Sequence, residues 1–177
     1  MRLAFTTFAV LHEPYGHERV QQFDDLTPTV FREAERSKGF IARAVDLDAS
    51  GLSNFHCNWG RWGRFDVPRF YQLGRECSTD QRASTLSLWT DLQSVFNFAY
   101  GGLHLGALRK RSEWFKAPAW PTYACWWVGE EDIPTWSQAC RKLEQLHDDG
   151  PTPHAFNFRQ CFDPQGHQAR LERLATV

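Results

Sequence analysis

The segment LSLWTDLQSVFNFAYGGLHLGALRKRSEWFKAPAWPTYACWWV, residues 86–128, contains two apolar runs with a helical pattern between them. Residues 83–89 and 122–128 are short and apolar, which predicts two buried strands. Between them, at about 100° per residue, the apolar side chains from Phe96 to Phe115 fall within an arc of roughly 140°. His104 and Arg111 lie inside this arc. The segment therefore predicts strand, helix and strand, with two titratable residues on the apolar face of the helix.

The remaining predicted elements flank this segment. They are a strand at 3–11, a helix at 18–36 that restarts at Thr27-Pro28, a strand at 40–47, a long irregular connection at 48–82, a helix from Ile133-Pro134 to 149 and an extended segment at 155–162. The order β-α-β-β-α-β followed by a helix is the ferredoxin-like pattern, an α+β fold with an antiparallel sheet and, here, an extra C-terminal helix. Two helices cover one face of such a sheet. We expect a second copy to bury the other face, giving a homodimer of the dimeric α/β barrel type.

Length and charge narrow the classes of protein. With 177 residues, the chain is long enough for a single domain over 1–177, in which 48–82 is an aromatic loop insertion. The net charge of −1 argues against a nucleic-acid partner. No apolar run reaches membrane-spanning length and no signal peptide is visible, so we expect a cytoplasmic protein without a membrane partner. The five cysteines include no C-x-x-C pair and are typical of reduced thiols.

The predicted site is a pocket between the sheet and the central helix. His104 is the candidate general acid or base, Arg111 would stabilise an oxyanion, and Tyr100 lies one helical turn before His104. The expected ligand-lining residues are Trp89, Trp127 and Phe96, and the loop residues His56, Trp59 and Trp62 would cover the mouth of the pocket. The predicted ligand is a hydrophobic small molecule.

Each of these residues also has a structural interpretation. His104 could hold a backbone carbonyl in the core, and Arg111 could pair with a structural carboxylate such as Asp91 or Glu144. The aromatic residues, 15% of the chain, could form a bulky core, and the loop could pack its aromatics over a sheet edge. Gly101-Gly102 would then mark a kink in the helix.

No cofactor is expected. Two alternatives stay open: a metal site formed by His56, Cys57, Cys77 and His104, whose spacing matches no zinc pattern, and haem ligated by His104. The sequence has neither a G-x-S-x-G nor a G-x-G-x-x-G motif.

Several segments also resemble a known family. They are KGFI at 38–41, LSLW at 86–89, FAY at 98–100 with His104, RKRSEWF at 109–115, WWV at 126–128 and GPTPHAF at 150–156. These resemble the bacterial and fungal domain-of-unknown-function family 3291, which in turn is similar to the dimeric α/β-barrel superfamily. The resemblance implies that the chain has this fold. The superfamily includes cofactor-free monooxygenases, lactone isomerases, polyketide cyclases and some haem proteins. Ala42-Arg43 departs from it, because the family usually has Trp-Arg there.

Three classes of function remain open. The first is an enzyme that acts without a cofactor on a hydrophobic, polycyclic or polyketide-like metabolite in a biosynthetic pathway, by cyclisation, isomerisation or monooxygenation. The second is a non-catalytic protein that binds such a molecule or haem. The third is an interaction protein whose aromatic residues are core.

Overall fold

The computed structural model describes residues 1–48, 55–70 and 81–172. In chain order its helices and strands are β1 (Arg2–Val10), α1 (Glu18–Arg36), β2 (Phe40–Arg43), a short 3-10 turn (Gly60–Trp62), β3 (Arg82–Trp89), α2 (Leu92–Ala99), α3 (Gly102–Trp114), β4 (Tyr123–Val128), α4 (Trp136–Asp149), β5 (Cys161–Phe162) and β6 (Gln168–Ala169).

The main sheet has four antiparallel strands in the order β2-β3-β1-β4. This is the ferredoxin-like order, so the predicted fold class is confirmed. β1 and β3 are central, and their pairing runs over eight residues from Leu3 opposite Trp89 to Val10 opposite Arg82. β5 and β6 form a separate hairpin.

Side chains alternate between the two faces of the sheet, and both faces are apolar. Leu3, Phe5 and Cys125 point towards α1 and α2, on what we call the helix face. The opposite face, which we call the α4 face, is formed by the intervening residues. They include Ala4, Phe8, Leu86, Leu88, Ala124 and Trp126.

The α4 face is covered within one chain. Trp136, Ala139, Leu143 and Leu146 of α4 pack on it, and part of the long connection joins them, namely Phe55, Trp59, Trp62, Phe65 and Val67. Leu86 and Leu88 are consequently 1% and 0% exposed without a partner. The premise for a dimer through this face was therefore wrong, because α4 and the loop supply the cover that a second sheet was expected to give. The homodimer itself stays a prediction.

α1 is one continuous helix, so the predicted restart at Thr27-Pro28 was wrong. Pro28 is exposed on the outer side of the helix. Its ring removes one main-chain N–H, and the carbonyl left without that donor can be hydrated there. Thr27 also donates its hydroxyl to the Phe23 carbonyl at 2.8 Å, which supports the turn before the proline.

The predicted central helix is two helices. α2 ends at Ala99 and α3 begins at Gly102, so the break falls at the predicted glycine pair. Gly102 has φ +44°, which favours glycine. The Glu33 carboxylate of α1 accepts hydrogen bonds from the Leu103 and His104 main-chain N–H groups at 3.1 and 3.3 Å. A side chain from the neighbouring helix thus caps the new N-terminus.

Candidate functional site

His104 is held in a structural contact. Its Nδ1 lies 2.8 Å from the Ala99 carbonyl oxygen at the end of α2, and its ring packs on Phe98 with centroids 4.8 Å apart. Burial lowers the pKa of the imidazole, although the Ala99 carbonyl and Glu33 act in the opposite direction. This geometry agrees with the structural interpretation, in which His104 holds a backbone carbonyl. Here the contact links the two helices on either side of the break.

Arg111 and Tyr100 do not complete a pocket around His104. Arg111 is exposed on the last turn of α3, so its predicted place on a buried face was wrong. The face fails because the backbone at Gly101 is extended, so the predicted helical arc does not continue from α2 into α3, and within α3 only Trp114 is buried. Tyr100 is 37% exposed, with its ring 4.8 Å from Phe96.

The residues that were predicted to line one pocket lie in different parts of the structure. Trp89 is 0% exposed, stacked on Phe98 with its indole N–H donated to the Ser87 hydroxyl at 2.9 Å, so it belongs to the core. Phe96 packs on Phe158. Trp127 lies on β4, and its indole N–H donates to the Phe162 carbonyl at 2.8 Å.

The described aromatic residues of the loop do not cover this region. Trp59 and Trp62 pack on the α4 face, whereas Phe98, the neighbour of His104, packs on the helix face. His56 is exposed. The predicted lid was wrong because α4 and the loop share an apolar surface that lies across the sheet from His104. Cys77, one of the four candidate metal ligands, lies outside the described residues.

The larger of two open grooves on the described surface lies elsewhere, between β4 and α4. Its volume is about 480 Å³, within the range of small-molecule sites. The lining residues come from β4, from the turn that follows it and from one side of α4. They are Met1, Trp126, Trp127, Val128, Gly129, Asp132, Gln138, Arg141, Lys142 and Gln145. Trp127 is thus the predicted binding residue that reaches a groove.

The position of α4 explains why its polar side borders this groove. Thr135 caps the helix in a capping box with Gln138, which fixes where the first turn starts. The apolar side of α4 then packs on the sheet. The side next to it carries Gln138, Arg141, Lys142 and Gln145 at spacings of three and four residues, so these side chains lie in a row beside the edge strand.

The groove has an excess of positive charge. Arg141 donates to the Ser137 hydroxyl at 3.1 Å and Lys142 to the Gln145 side-chain oxygen at 3.1 Å, so both bind neutral partners. Neither forms an ion pair with a described residue. Partial burial, and then the charge of Arg141, lower the pKa of Lys142. Among the described residues that line the groove, the one carboxylate is that of Asp132, and it already accepts from the Gly129 main-chain N–H at 3.1 Å.

A smaller groove of about 190 Å³ lies near the break between α2 and α3, lined by residues that include Glu33, Lys38 and Gly102. Glu33 is occupied there as the cap of α3. Across the described ranges, no group of three or more His, Cys, Asp or Glu side chains is placed to hold a metal ion. Nor is any helix of the described chain long and apolar enough to span a membrane.

The sequence and fold can now be compared with known proteins. The model of a family described as a domain of unknown function, DUF3291, matches residues 2–173. The chain belongs to this family. No curated protein matches the sequence. The resemblance identified from the sequence is confirmed, and the family description assigns no activity to a DUF3291 protein.

One solved structure with a similar fold is SnoaB, a cofactor-independent oxygenase from Streptomyces nogalater. It is 10% identical to the DUF3291 chain, and the alignment covers 75% of this chain and 97% of SnoaB with a TM-score of 0.43. At this level of similarity we draw no functional argument from SnoaB.

Sequence reasoning missed Arg141 and Lys142. The available signal was in α4, where two adjacent cations are flanked by Gln138 and Gln145 at helical spacing. What the sequence could not give is the packing of α4 on the α4 face, which brings this row beside Trp127.

Proposed function

We propose that this DUF3291 protein binds a small organic anion in the groove between β4 and α4. The observation that carries the proposal is the pair Arg141 and Lys142, which face a groove of ligand size and have no acidic partner among the described residues. A carboxylate or phosphate would neutralise this pair, and Met1 and Trp127, which line the groove and are not fully buried, would contact the apolar part of the ligand.

The alternative, a cofactor-independent enzyme acting on a hydrophobic metabolite through His104, stays a hypothesis. The geometry favours binding over that reaction, since the His104 Nδ1 is used by a backbone carbonyl and Arg111 is in solvent. Ligation of a haem iron by His104 is not supported either, because the imidazole ring of His104 packs against Phe98.

Titration calorimetry with two matched probes tests the binding proposal. Naphthalene-2-carboxylate and 2-naphthalenemethanol share a flat body and differ in charge. A ligand of this size should bind with a Kd of roughly 1 mM or tighter, and we expect the neutral probe to bind at least about tenfold more weakly.

Variants locate the site. Changing Arg141→Gln together with Lys142→Gln should reduce carboxylate affinity by about tenfold or more, because charged hydrogen bonds are lost. Lys110→Gln removes one positive charge from an exposed position on α3 and should leave the affinity unchanged. Equal binding of both probes, or equal affinity of the double variant and the wild type, would contradict the proposal.

A further inference from the structure

The free edge of β4 adds a second recognition feature to the groove. In the β1–β4 pairing, Thr6 lies opposite Ala124 and Leu3 opposite Trp127. The Phe8 main-chain N–H donates to the Thr122 carbonyl at 2.8 Å, so even-numbered residues of β4 direct their main-chain groups towards β1. Odd-numbered residues of β4 therefore direct theirs outward.

The chain itself uses this outward edge at one position. Cys125 and Phe156 exchange two main-chain hydrogen bonds, of 2.8 Å from the Cys125 N–H and 2.9 Å from the Phe156 N–H. Two residues further along β4, Trp127 presents the next outward N–H and C=O. The segment before Phe156 does not continue this pairing: Thr152 and Ala155 bond to each other at 2.9 and 3.2 Å, and no described residue of that segment bonds to the Trp127 main chain.

The result is a main-chain donor and acceptor on the groove wall without a partner among the described residues. Trp127 and Val128 line the groove together with Arg141 and Lys142. An edge strand with unused N–H and C=O groups pairs with another extended chain. Here the pairing site lies beside two cations, which select an extended chain that carries a carboxylate.

From this arrangement we infer that the ligand is the C-terminal end of a peptide. The N–H of its terminal residue donates to the Trp127 carbonyl and one carboxylate oxygen accepts from the Trp127 main-chain N–H, in the places of the N–H and C=O that Phe156 presents to Cys125. Its carboxylate is held by Arg141 and Lys142. The inference rests on the proposed anion site and goes further by naming the chemical class of the anion.

The test compares four probes by titration calorimetry and by ¹H–¹⁵N NMR of the Trp127 amide. They are N-acetyl-leucyl-leucine, its C-terminal amide, the same dipeptide N-methylated at the leucyl-leucine amide, and naphthalene-2-carboxylate. We expect N-acetyl-leucyl-leucine to shift the Trp127 amide resonance and to bind about tenfold more tightly than either modified peptide.

The outcomes separate the two claims. If N-methylation leaves affinity unchanged and naphthalene-2-carboxylate binds as tightly as the peptide, the groove binds anions and the peptide inference is overturned. If none of the carboxylates binds, the proposed function itself fails. Arg141→Gln with Lys142→Gln should abolish the preference for the free carboxylate over the C-terminal amide, whereas Lys110→Gln should preserve it.

Discussion

At the scale of single residues, His104 shows how one position can suit two chemistries. Its surroundings in the sequence are those of a catalytic histidine, with aromatics and an arginine at helical spacing. Only the break between α2 and α3 brings the Ala99 carbonyl within 2.8 Å of its Nδ1. The alternative of a histidine holding a carbonyl was visible in the sequence, but the angle between the two helices was not.

The buried state of His104 leads to a prediction for His104→Gln. Burial lowers the folded-state pKa below the ordinary 6.5, so the unfolded chain binds the proton more readily. The wild-type protein should therefore lose stability as pH falls from 6.5 through the lower folded-state value. Glutamine does not titrate. We expect the variant to be about 1 kcal/mol less stable at pH 7.5 and the gap to narrow at lower pH.

Urea unfolding of both proteins between pH 7.5 and pH 5 measures this gap. His154→Gln, at an exposed position, serves as the control and should follow the wild type. A gap that widens on acidification would mean that the fold favours the protonated imidazole, contrary to the assignment.

At the scale of elements, strand and helix positions follow closely from local pattern. β1, β3, β4 and α4 lie within a few residues of their predicted ranges, because alternation, caps and glycine stops are local signals. Two errors had different causes. α1 continues through Pro28 because the proline is exposed and Thr27 supports the preceding turn. The start of α3 depends on Glu33, which is distant in sequence.

Two glycines in α3 test the capping of its N-terminus. A Cβ on Gly102 would collide with the Glu33 carboxylate, and its φ of +44° is unfavourable for alanine. Gly102→Ala should therefore destabilise the protein by about 1–3 kcal/mol. Gly106 has nothing within 4 Å of the added Cβ, so Gly106→Ala should stabilise by about 0.5–1 kcal/mol.

Thermal unfolding of the two variants and the wild type shows whether each substitution raises or lowers the Tm. Opposite shifts in Tm are expected. Two stabilised variants, or two equal losses, would show that Glu33 does not hold the start of α3 in this way.

At the scale of the whole molecule, elements of one chain cover both faces of the sheet, so burying the sheet does not require a second copy. The ferredoxin-like order was predictable from the succession of elements. The cover on the α4 face was not, since helix α4 could have packed at the edge and the loop aromatics give no periodic signal. The packing of both on Leu86 and Leu88 makes each chain's sheet complete on both faces.

This completeness predicts how Leu88→Ala behaves. The side chain is 0% exposed, so its truncation should cost about 2–5 kcal/mol. Because the cover comes from the same chain, the difference in Tm between the variant and the wild type should stay constant from about 1 to 100 μM protein. A difference that changes with protein concentration would indicate that a second copy completes this face.

The central claim is that ligands bind between β4 and α4 rather than beside His104. A ¹H–¹⁵N NMR titration with naphthalene-2-carboxylate tests it most directly, because amide shifts report position without assuming an activity. We predict the largest shifts at Trp127, Val128 and Gly129 and at Arg141 and Lys142. Shifts concentrated at Phe96, Tyr100 and His104 instead would contradict this claim and show that the ligand binds at the α2–α3 break.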